Sequence, residues 1–188
     1  MNLFKKAGLA FVAIMSLQMS FAQNKMTEKT VEVGGAAMYP SKNIVENAVN
    51  SADHTTLVAA VKAAGLVETL QSSGPFTVFA PNNAAFNMLP AGTVETLLKP
   101  ENKAKLAAVL TYHVVAGKID SKQLAMLIKQ GNGKTELTTV AGGKLWAMMQ
   151  GKDIVIKDEN GGVAKVTIPD VYQSNGVIHV TDHVSLPK

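Results

Sequence analysis

The sequence contains no cysteine. This absence excludes disulfide bonds, thiolate catalysis, iron–sulfur clusters and cysteine-bound zinc, so the stability of the fold must come from its core. Arginine is missing as well, and all 18 basic residues are lysine. Arginine supplies the bidentate hydrogen bonds that recognise phosphates and base edges. The composition therefore argues against a nucleic-acid partner.

Charged residues are few, at 17% of the chain, whereas hydrophobic residues make up 47%. A chain of 188 residues with this composition can bury the core of one domain, so wholesale disorder is excluded. Without Lys5 and Lys6, which lie in a segment that we expect to be removed, 16 lysines remain against 14 acidic residues. This balance is too even to attract nucleic acid by charge.

Long hydrophobic runs are also absent. An apolar stretch extends from Ala7 to Leu17, which is shorter than the roughly 20 residues that a membrane-spanning helix needs. Two lysines precede this stretch, and the small residues Ser20 and Ala22 follow it. The pattern predicts a signal peptide at residues 1–22, cleaved after Ala22, rather than a membrane anchor. We therefore expect a secreted or periplasmic protein with no membrane span after cleavage.

The remaining chain changes in character along its length. Residues 23–38 show no sustained period and are predicted to be a flexible N-terminal lead-in, with packing of a part of it on the domain left open. Helical spacing of apolar residues follows from Ser41 to Gly131, interrupted by a short strand at Phe76–Phe79. Strands separated by tight glycine turns are predicted at Glu136–Val140, Lys144–Gln150, Asp153–Lys157, Val163–Ile168 and Gly176–Val184. Helices first and strands later indicate an α+β fold.

Three segments together resemble a known family. Residues Thr77–Phe86 (TVFAPNNAAF) resemble the first signature block of fasciclin-type (FAS1) domains, and Gly176–Pro187 (GVIHVTDHVSLP) resembles the second. Between these blocks, Tyr112-His113 stands where the family has its Tyr-His pair. The resemblance implies a fasciclin domain over residues 39–188. The fold that it implies is a β-sandwich or wedge of about seven strands with a helical bundle at one end.

The pair Tyr112-His113 is the first candidate binding site. In animal members of the family this region is associated with integrin recognition, so the resemblance implies a binding role. The neighbouring residues Leu110, Val114 and Val115 are apolar, which favours a structural role in which the two side chains satisfy buried backbone groups. Both interpretations stay open at this point.

No catalytic residue, metal site or cofactor is predicted. Nucleophile-elbow, phosphate-loop and zinc-protease motifs are absent from the sequence. The spacing His179-x-x-x-His183 suits zinc on a helix, but four residues of a strand span roughly 13 Å, too far for one ion. Asp182 falls on the inward face of the same strand. There we expect it to accept structural hydrogen bonds or to mark a bulge.

Trp146 and Met148 form a second surface candidate, as a contact patch for sugar or hydrophobic groups. Strand alternation places them together, opposite Leu145, Ala147 and Met149. Because both faces are apolar, we expect one to pack on the helices and the other on a second sheet.

The sequence thus predicts an exported, non-catalytic adhesion or binding module that acts at the cell surface or in the extracellular matrix. Its expected partner is a cell-surface or matrix protein or polysaccharide, and its expected state is a monomer or weak oligomer. The alternative is a periplasmic small-ligand-binding protein or a hydrolase with an unrecognised site. A polar pocket with grouped carboxylates or imidazoles would favour that alternative.

Overall fold

A computed structural model describes residues 28–188, which form nine strands and seven α-helices. The strands are β1 (Val31–Val33), β2 (Ala36–Met38), β3 (Phe76–Pro81), β4 (Val114–Ala116), β5 (Lys134–Thr138), β6 (Lys144–Gln150), β7 (Asp153–Lys157), β8 (Val163–Gln173) and β9 (Gly176–Thr181). The helices are α1 (Ile44–Ala48), α2 (Thr55–Ala64), α3 (Val67–Gln71), α4 (Asn83–Asn87), α5 (Thr93–Leu97), α6 (Lys103–Tyr112) and α7 (Ser121–Gln130). Among these residues, no helix is long and apolar enough to cross a membrane.

Seven of the strands form one sheet in the order β4-β3-β9-β8-β7-β6-β5. The pair β3–β9 is parallel and the other pairs are antiparallel. A bridge between Val115 of β4 and Thr139, just after β5, links the two edges of the sheet. The predicted α+β class with about seven strands is confirmed. The sandwich or wedge takes the form of a single sheet that curls until its edges nearly meet.

Two hydrophobic clusters fill the interior. The first joins the helices to β3 and β9, and it includes Ile44, Val61 and Val180. The second lies inside the curl of β5 to β8 and is covered by α7, through Leu124 and Ile128. Helix α7 begins at a capping box between Asp120 and Gln123 and places its two buried residues four apart, on one face. Strand β9 is buried at every position, on both of its sides, which explains why Val177, Ile178 and Val180 lie so close together in it.

The N-terminal segment differs from its prediction. Residues 23–38 were expected to form a flexible lead-in, but β1 and β2 form an antiparallel hairpin within it. The side chains of Val33 and Met38 are 2% and 3% exposed in the first cluster. Strands of three residues are too short to show a hydrophobic period, so the sequence pattern concealed them. The predicted signal peptide at residues 1–22 lies outside the described residues.

Strand β8 is longer than predicted. The sequence prediction ends this strand at Ile168, yet the strand continues through Pro169 and Asp170 to Gln173. Register shifts against β9 on both sides of Ile168 take up the irregularity, as a β-bulge does. Asp170 adopts a left-handed backbone there, with φ of 60°. In contrast, the bounds predicted for β6 and β7 match those observed.

Candidate functional site

Tyr112 is the last residue of α6, and its side chain is completely buried. Its hydroxyl donates a hydrogen bond of 2.6 Å to the carbonyl oxygen of Lys144 and accepts one of 3.1 Å from the backbone N–H of Glu159. Burial raises the pKa of Tyr112. The hydroxyl therefore uses its donor and one acceptor position to join α6 to β6 and to the turn after β7.

His113 follows directly and is 3% exposed. Its Nδ1 donates to the carbonyl oxygen of Val109 at 2.8 Å, and its Nε2 accepts from the backbone N–H of Ser185 at 3.0 Å. Burial lowers the pKa of His113, which favours the neutral ring with one donor and one acceptor. Both ring nitrogens are thus occupied by backbone groups of the chain itself.

Asp158, in the turn between β7 and β8, completes this arrangement. Its buried carboxylate accepts three backbone hydrogen bonds, from Asn160 at 3.0 Å, from Gly162 at 2.7 Å and from Leu186 at 3.0 Å. Neighbouring Glu159 accepts from the backbone N–H of Lys144 at 2.8 Å. Sequence reasoning identified this stretch only as a hairpin turn. The Asp-x-Asn-Gly-Gly pattern, typical of a side chain that bonds its own turn, could have indicated the role.

His179 lies in β9, fully buried, with its ring stacked on Phe79 at a centroid distance of 5.7 Å. Its Nε2 donates to the carbonyl oxygen of Ile119 at 2.9 Å, and its Nδ1 accepts from the backbone N–H of Asp170 at 3.3 Å. Burial lowers the pKa of His179. The carboxylate of Asp170 in turn accepts from the backbone N–H of Ser121 at 2.7 Å, which fixes the start of α7.

His183 and His179 lie in different environments. It is exposed, and its Nδ1 donates to Asp182 at 2.7 Å. Asp182 also accepts a hydrogen bond of 2.8 Å from the backbone N–H of Lys165, so the hydrogen-bonding role predicted for this residue is observed. Within residues 28–188, no group of three or more His, Cys, Asp or Glu side chains is placed to hold a metal ion.

A cavity of about 70 Å³ lies between the helices and the sheet. Its wall is mainly aliphatic and includes Ile44, Val61 and Leu110, with the imidazoles of His54 and His113 at its edge. His54 is 3% exposed, and its Nδ1 lies 3.0 Å from the hydroxyl oxygen of Ser51. Burial lowers the pKa of His54. A small cavity of this kind offers packing surface but little polar recognition.

The outer face of β5 to β8 carries the second candidate, Trp146 with Met148. Residues that pair directly across antiparallel strands project to the same face. One such row runs Glu136, Trp146, Lys157 and Val163, and the next runs Lys134, Met148, Val155 and Lys165. We call these two rows the open face.

The open face corrects one prediction. Leu145 and Ala147 are completely buried in the second cluster, as expected for one side of β6. Trp146 and Met148 on the other side are partly exposed, not packed on a second sheet. The sheet is single and curled, so its concave side encloses the core and its convex side faces outward.

Lysines surround Trp146 and Met148, which share the open face with two further apolar residues, the buried Val155 and the exposed Val163. Lys144 pairs with Glu136 at 2.9 Å, and the bond from Lys144 lowers the pKa of that carboxyl. Lys165 pairs with Asp153 at 2.7 Å, and the bond to this carboxylate raises the pKa of Lys165. Such exposed pairs contribute little to stability because water screens them. In the described part of the chain, Lys134 and Lys157 have no ion-pair partner.

Comparison with known proteins decides the family. The family model of the fasciclin domain matches residues 52–187. The chain belongs to the fasciclin domain family. Protein sll1483 of the cyanobacterium Synechocystis is 49% identical to this fasciclin domain protein over 170 residues, which cover 89% of the chain and 86% of the relative. Immunogenic protein MPB70 of Mycobacterium bovis is 34% identical over 145 residues, covering 74% of the chain and 66% of the relative.

More distant relatives extend the comparison to animals. Human periostin is 30% identical to this fasciclin domain protein over 135 residues, which cover 72% of the chain but 15% of periostin. Among solved structures, a FAS1 domain pair from the insect cell adhesion molecule Fasciclin I matches with a TM-score of 0.68 and 17% identity. The match covers 84% of the chain and 58% of that two-domain structure, and it shows a shared fold.

Proposed function

We propose that this fasciclin domain protein is an exported, non-catalytic adhesion module that binds a partner at the cell surface or in the extracellular matrix. One observation carries the proposal. Three polar side chains in the family motifs, Tyr112, His113 and His179, are buried and bonded to backbone groups of their own chain. Groups held in this way stabilise a scaffold, and neither a substrate nor a partner can reach them while the fold is closed.

The adhesive role is supported by the fold shared with an insect cell adhesion molecule. Export is supported by the N-terminal pattern of residues 1–22, with cleavage after Ala22. The partner is a cell-surface or matrix protein or polysaccharide and not nucleic acid, since the chain has 18 lysines, 14 acidic residues and no arginine. We propose a structural role for Tyr112 and His113, and contact with the partner through exposed residues elsewhere.

The small-ligand or hydrolase alternative receives less support. The cavity of about 70 Å³ with a mainly aliphatic wall is too small and too apolar to orient a polar substrate. A larger, open depression of about 360 Å³ beside α5, lined by residues that include Thr96, Asn102 and Lys105, has no carboxylate or imidazole in its wall.

His113 and His179 use both ring nitrogens to hold backbone groups, so neither is free to act as a general base on a bound molecule. His54 is bonded to Ser51 through Nδ1, and its buried Nε2 has no hydrogen-bond partner in residues 28–188, so no carboxylate is bonded to this ring to complete a catalytic set.

Attachment of cells tests the proposal directly. The gene would be deleted from the source organism, and attachment to a solid surface and to neighbouring cells would be counted under flow. We expect deletion to reduce attachment, and added protein, purified after export of the full chain, to restore it. An equal amount of an unrelated exported protein serves as the control. Unchanged attachment after deletion, or turnover of a substrate by the purified protein, would contradict the proposal.

A further inference from the structure

The open face has a composition that differs from an ordinary solvent-facing sheet. Trp146 and Met148 are separated by one residue along β6, so their apolar side chains lie side by side near the centre of the open face. Lys134 and Lys165 close one row at its two ends, and Lys157 lies beside Trp146 in the other. Lysine groups therefore flank the aromatic ring on several sides, while its direct neighbour on β5 is Glu136, whose carboxylate is paired with Lys144.

The spacing of these lysines follows from the sheet. Lys134 and Lys165 are separated by three interstrand steps, which is roughly 14 Å between their backbones. Lys157 lies in the adjacent row, about 7 Å away along the strand direction. The side chains can reach a chain-like molecule at several points along a line that crosses the four strands above Trp146 and Met148.

We infer that the open face binds an acidic polysaccharide. One sugar ring of the polymer packs on Trp146, and carboxylates of the polymer near that ring pair with Lys134 and Lys157. This inference rests on the proposed adhesive function and names the class of partner. The C–H face of a sugar ring is weakly positive and packs on the negative face of an indole. The acidic groups of such a polymer stand at the ring edges, where they complement the surrounding ammonium groups.

Other partners fit this surface less well. A stable protein interface covers about 800 Å² on each side around a buried apolar centre, and the three accessible apolar side chains of the open face, Trp146, Met148 and Val163, form a much smaller patch. Insertion into a membrane needs protruding apolar residues, but Trp146 and Met148 are only partly exposed and stand on a sheet between lysines.

The chain itself provides the probe for a test. Trp146 is its only tryptophan, so intrinsic tryptophan fluorescence reports on the open face alone. Purified exported protein would be titrated with polygalacturonate, with uncharged dextran of similar length as the control. We expect polygalacturonate to shift the emission and to protect Trp146 from quenching by acrylamide. Dextran should do neither, and added salt should weaken the binding of polygalacturonate.

Matched variants locate the site. The double substitution Lys134→Gln and Lys157→Gln should weaken binding about tenfold, since each exposed charge contact contributes up to about fivefold. Lys105→Gln with Lys122→Gln removes the same charge from exposed positions on α6 and α7 and should change binding less than about twofold. Thermal unfolding of both variants verifies that they fold.

Several results would overturn the inference. Equal weakening by the two double variants would show that net charge alone attracts the polymer. The inference would also fail if polygalacturonate caused no change in tryptophan fluorescence. It would fail as well if only anionic vesicles, an acidic protein or single-stranded DNA caused a change. If polygalacturonate fails but the exported protein still restores attachment of cells, the inference fails and the adhesive function stands. If attachment is not restored either, the proposed function fails as well.

Discussion

The imidazole of His113 holds the C-terminal segment, because its Nε2 accepts a hydrogen bond of 3.0 Å from the backbone N–H of Ser185. The two residues are 72 positions apart in the chain. Through its other nitrogen, the same ring is bonded to Val109 within α6. One neutral side chain thus connects the Tyr-His motif to the last motif of the family, and its protonation would break that connection.

The first prediction is a loss of stability on acidification. Burial lowers the pKa of His54, His113 and His179 below the ordinary value of 6.5. The unfolded chain therefore binds more protons than the folded one once the pH falls below about 6.5. The stability from the neutral rings is complete above that pH and is lost as the pH falls towards the lowered pKa values of the folded state.

Urea denaturation between pH 7.5 and pH 5.0 measures this effect. We expect the free energy of unfolding to fall by up to about 1.4 kcal/mol per pH unit for each imidazole that remains neutral when folded. His113→Gln should reduce the slope of the free energy of unfolding against pH by the contribution of one imidazole, provided that the variant folds at pH 7.5. A free energy of unfolding that stays constant across this range would show that the three rings are not held neutral.

The second prediction concerns the hydroxyl of Tyr112. Tyr112→Phe leaves the carbonyl of Lys144 and the N–H of Glu159 without their buried partner, so it should cost about 2 kcal/mol of stability. Tyr172→Phe is the matched control, since its hydroxyl is bonded to Asp120 at the surface at 3.3 Å. This control should cost less than about 0.5 kcal/mol. Similar losses in both variants would contradict the structural role of Tyr112.

The third prediction concerns Asp158. Asp158→Asn replaces one acceptor oxygen by a donor, so at least one of the three backbone N–H groups loses its partner. We expect a loss of about 2 to 3 kcal/mol in the free energy of unfolding. Asp153→Asn removes a carboxylate from an exposed ion pair with Lys165 and should leave stability nearly unchanged. Calorimetric melting of the two variants would separate these outcomes.

The fourth prediction compares two substitutions of Asp170. This residue combines a left-handed backbone, φ of 60°, with hydrogen bonds to the backbone N–H and the hydroxyl of Ser121. Asp170→Asn keeps an acceptor and tolerates the backbone, so it should cost about 1 kcal/mol. Asp170→Ala loses both features and should cost about 3 kcal/mol. An alanine variant as stable as the asparagine variant would exclude this account of the bulge.

Parts of the fold follow from local sequence, and other parts do not. Strands β6 and β7 were bounded correctly because glycine turns flank them and their residues favour extended structure. The hairpin of β1 and β2 was missed since its buried residues are held by the distant first cluster, not by local propensity. Strand β8 continues past Pro169 because its pairing with β9 shifts register there, which no local pattern reports.

The candidate sites divide in the same way. Apolar neighbours indicated that Tyr112 and His113 are buried, but their partners come from segments far along the chain, which periodicity cannot identify. Alternation correctly placed Trp146 beside Met148. It could not tell which side of β6 would remain exposed, because that depends on the direction in which the whole sheet curls.

The attachment of two variants that fold equally well separates a structural role of Tyr112 from a binding role of the open face. Beads coated with the exported protein would be counted on a surface layer of acidic polysaccharide, at a temperature where every variant is folded. We expect beads coated with Tyr112→Phe to attach as beads with the unaltered protein do. Beads coated with the double variant Lys134→Gln and Lys157→Gln should lose most of their attachment. Loss of attachment by a folded Tyr112→Phe variant, with normal attachment by the lysine variant, would contradict both expectations.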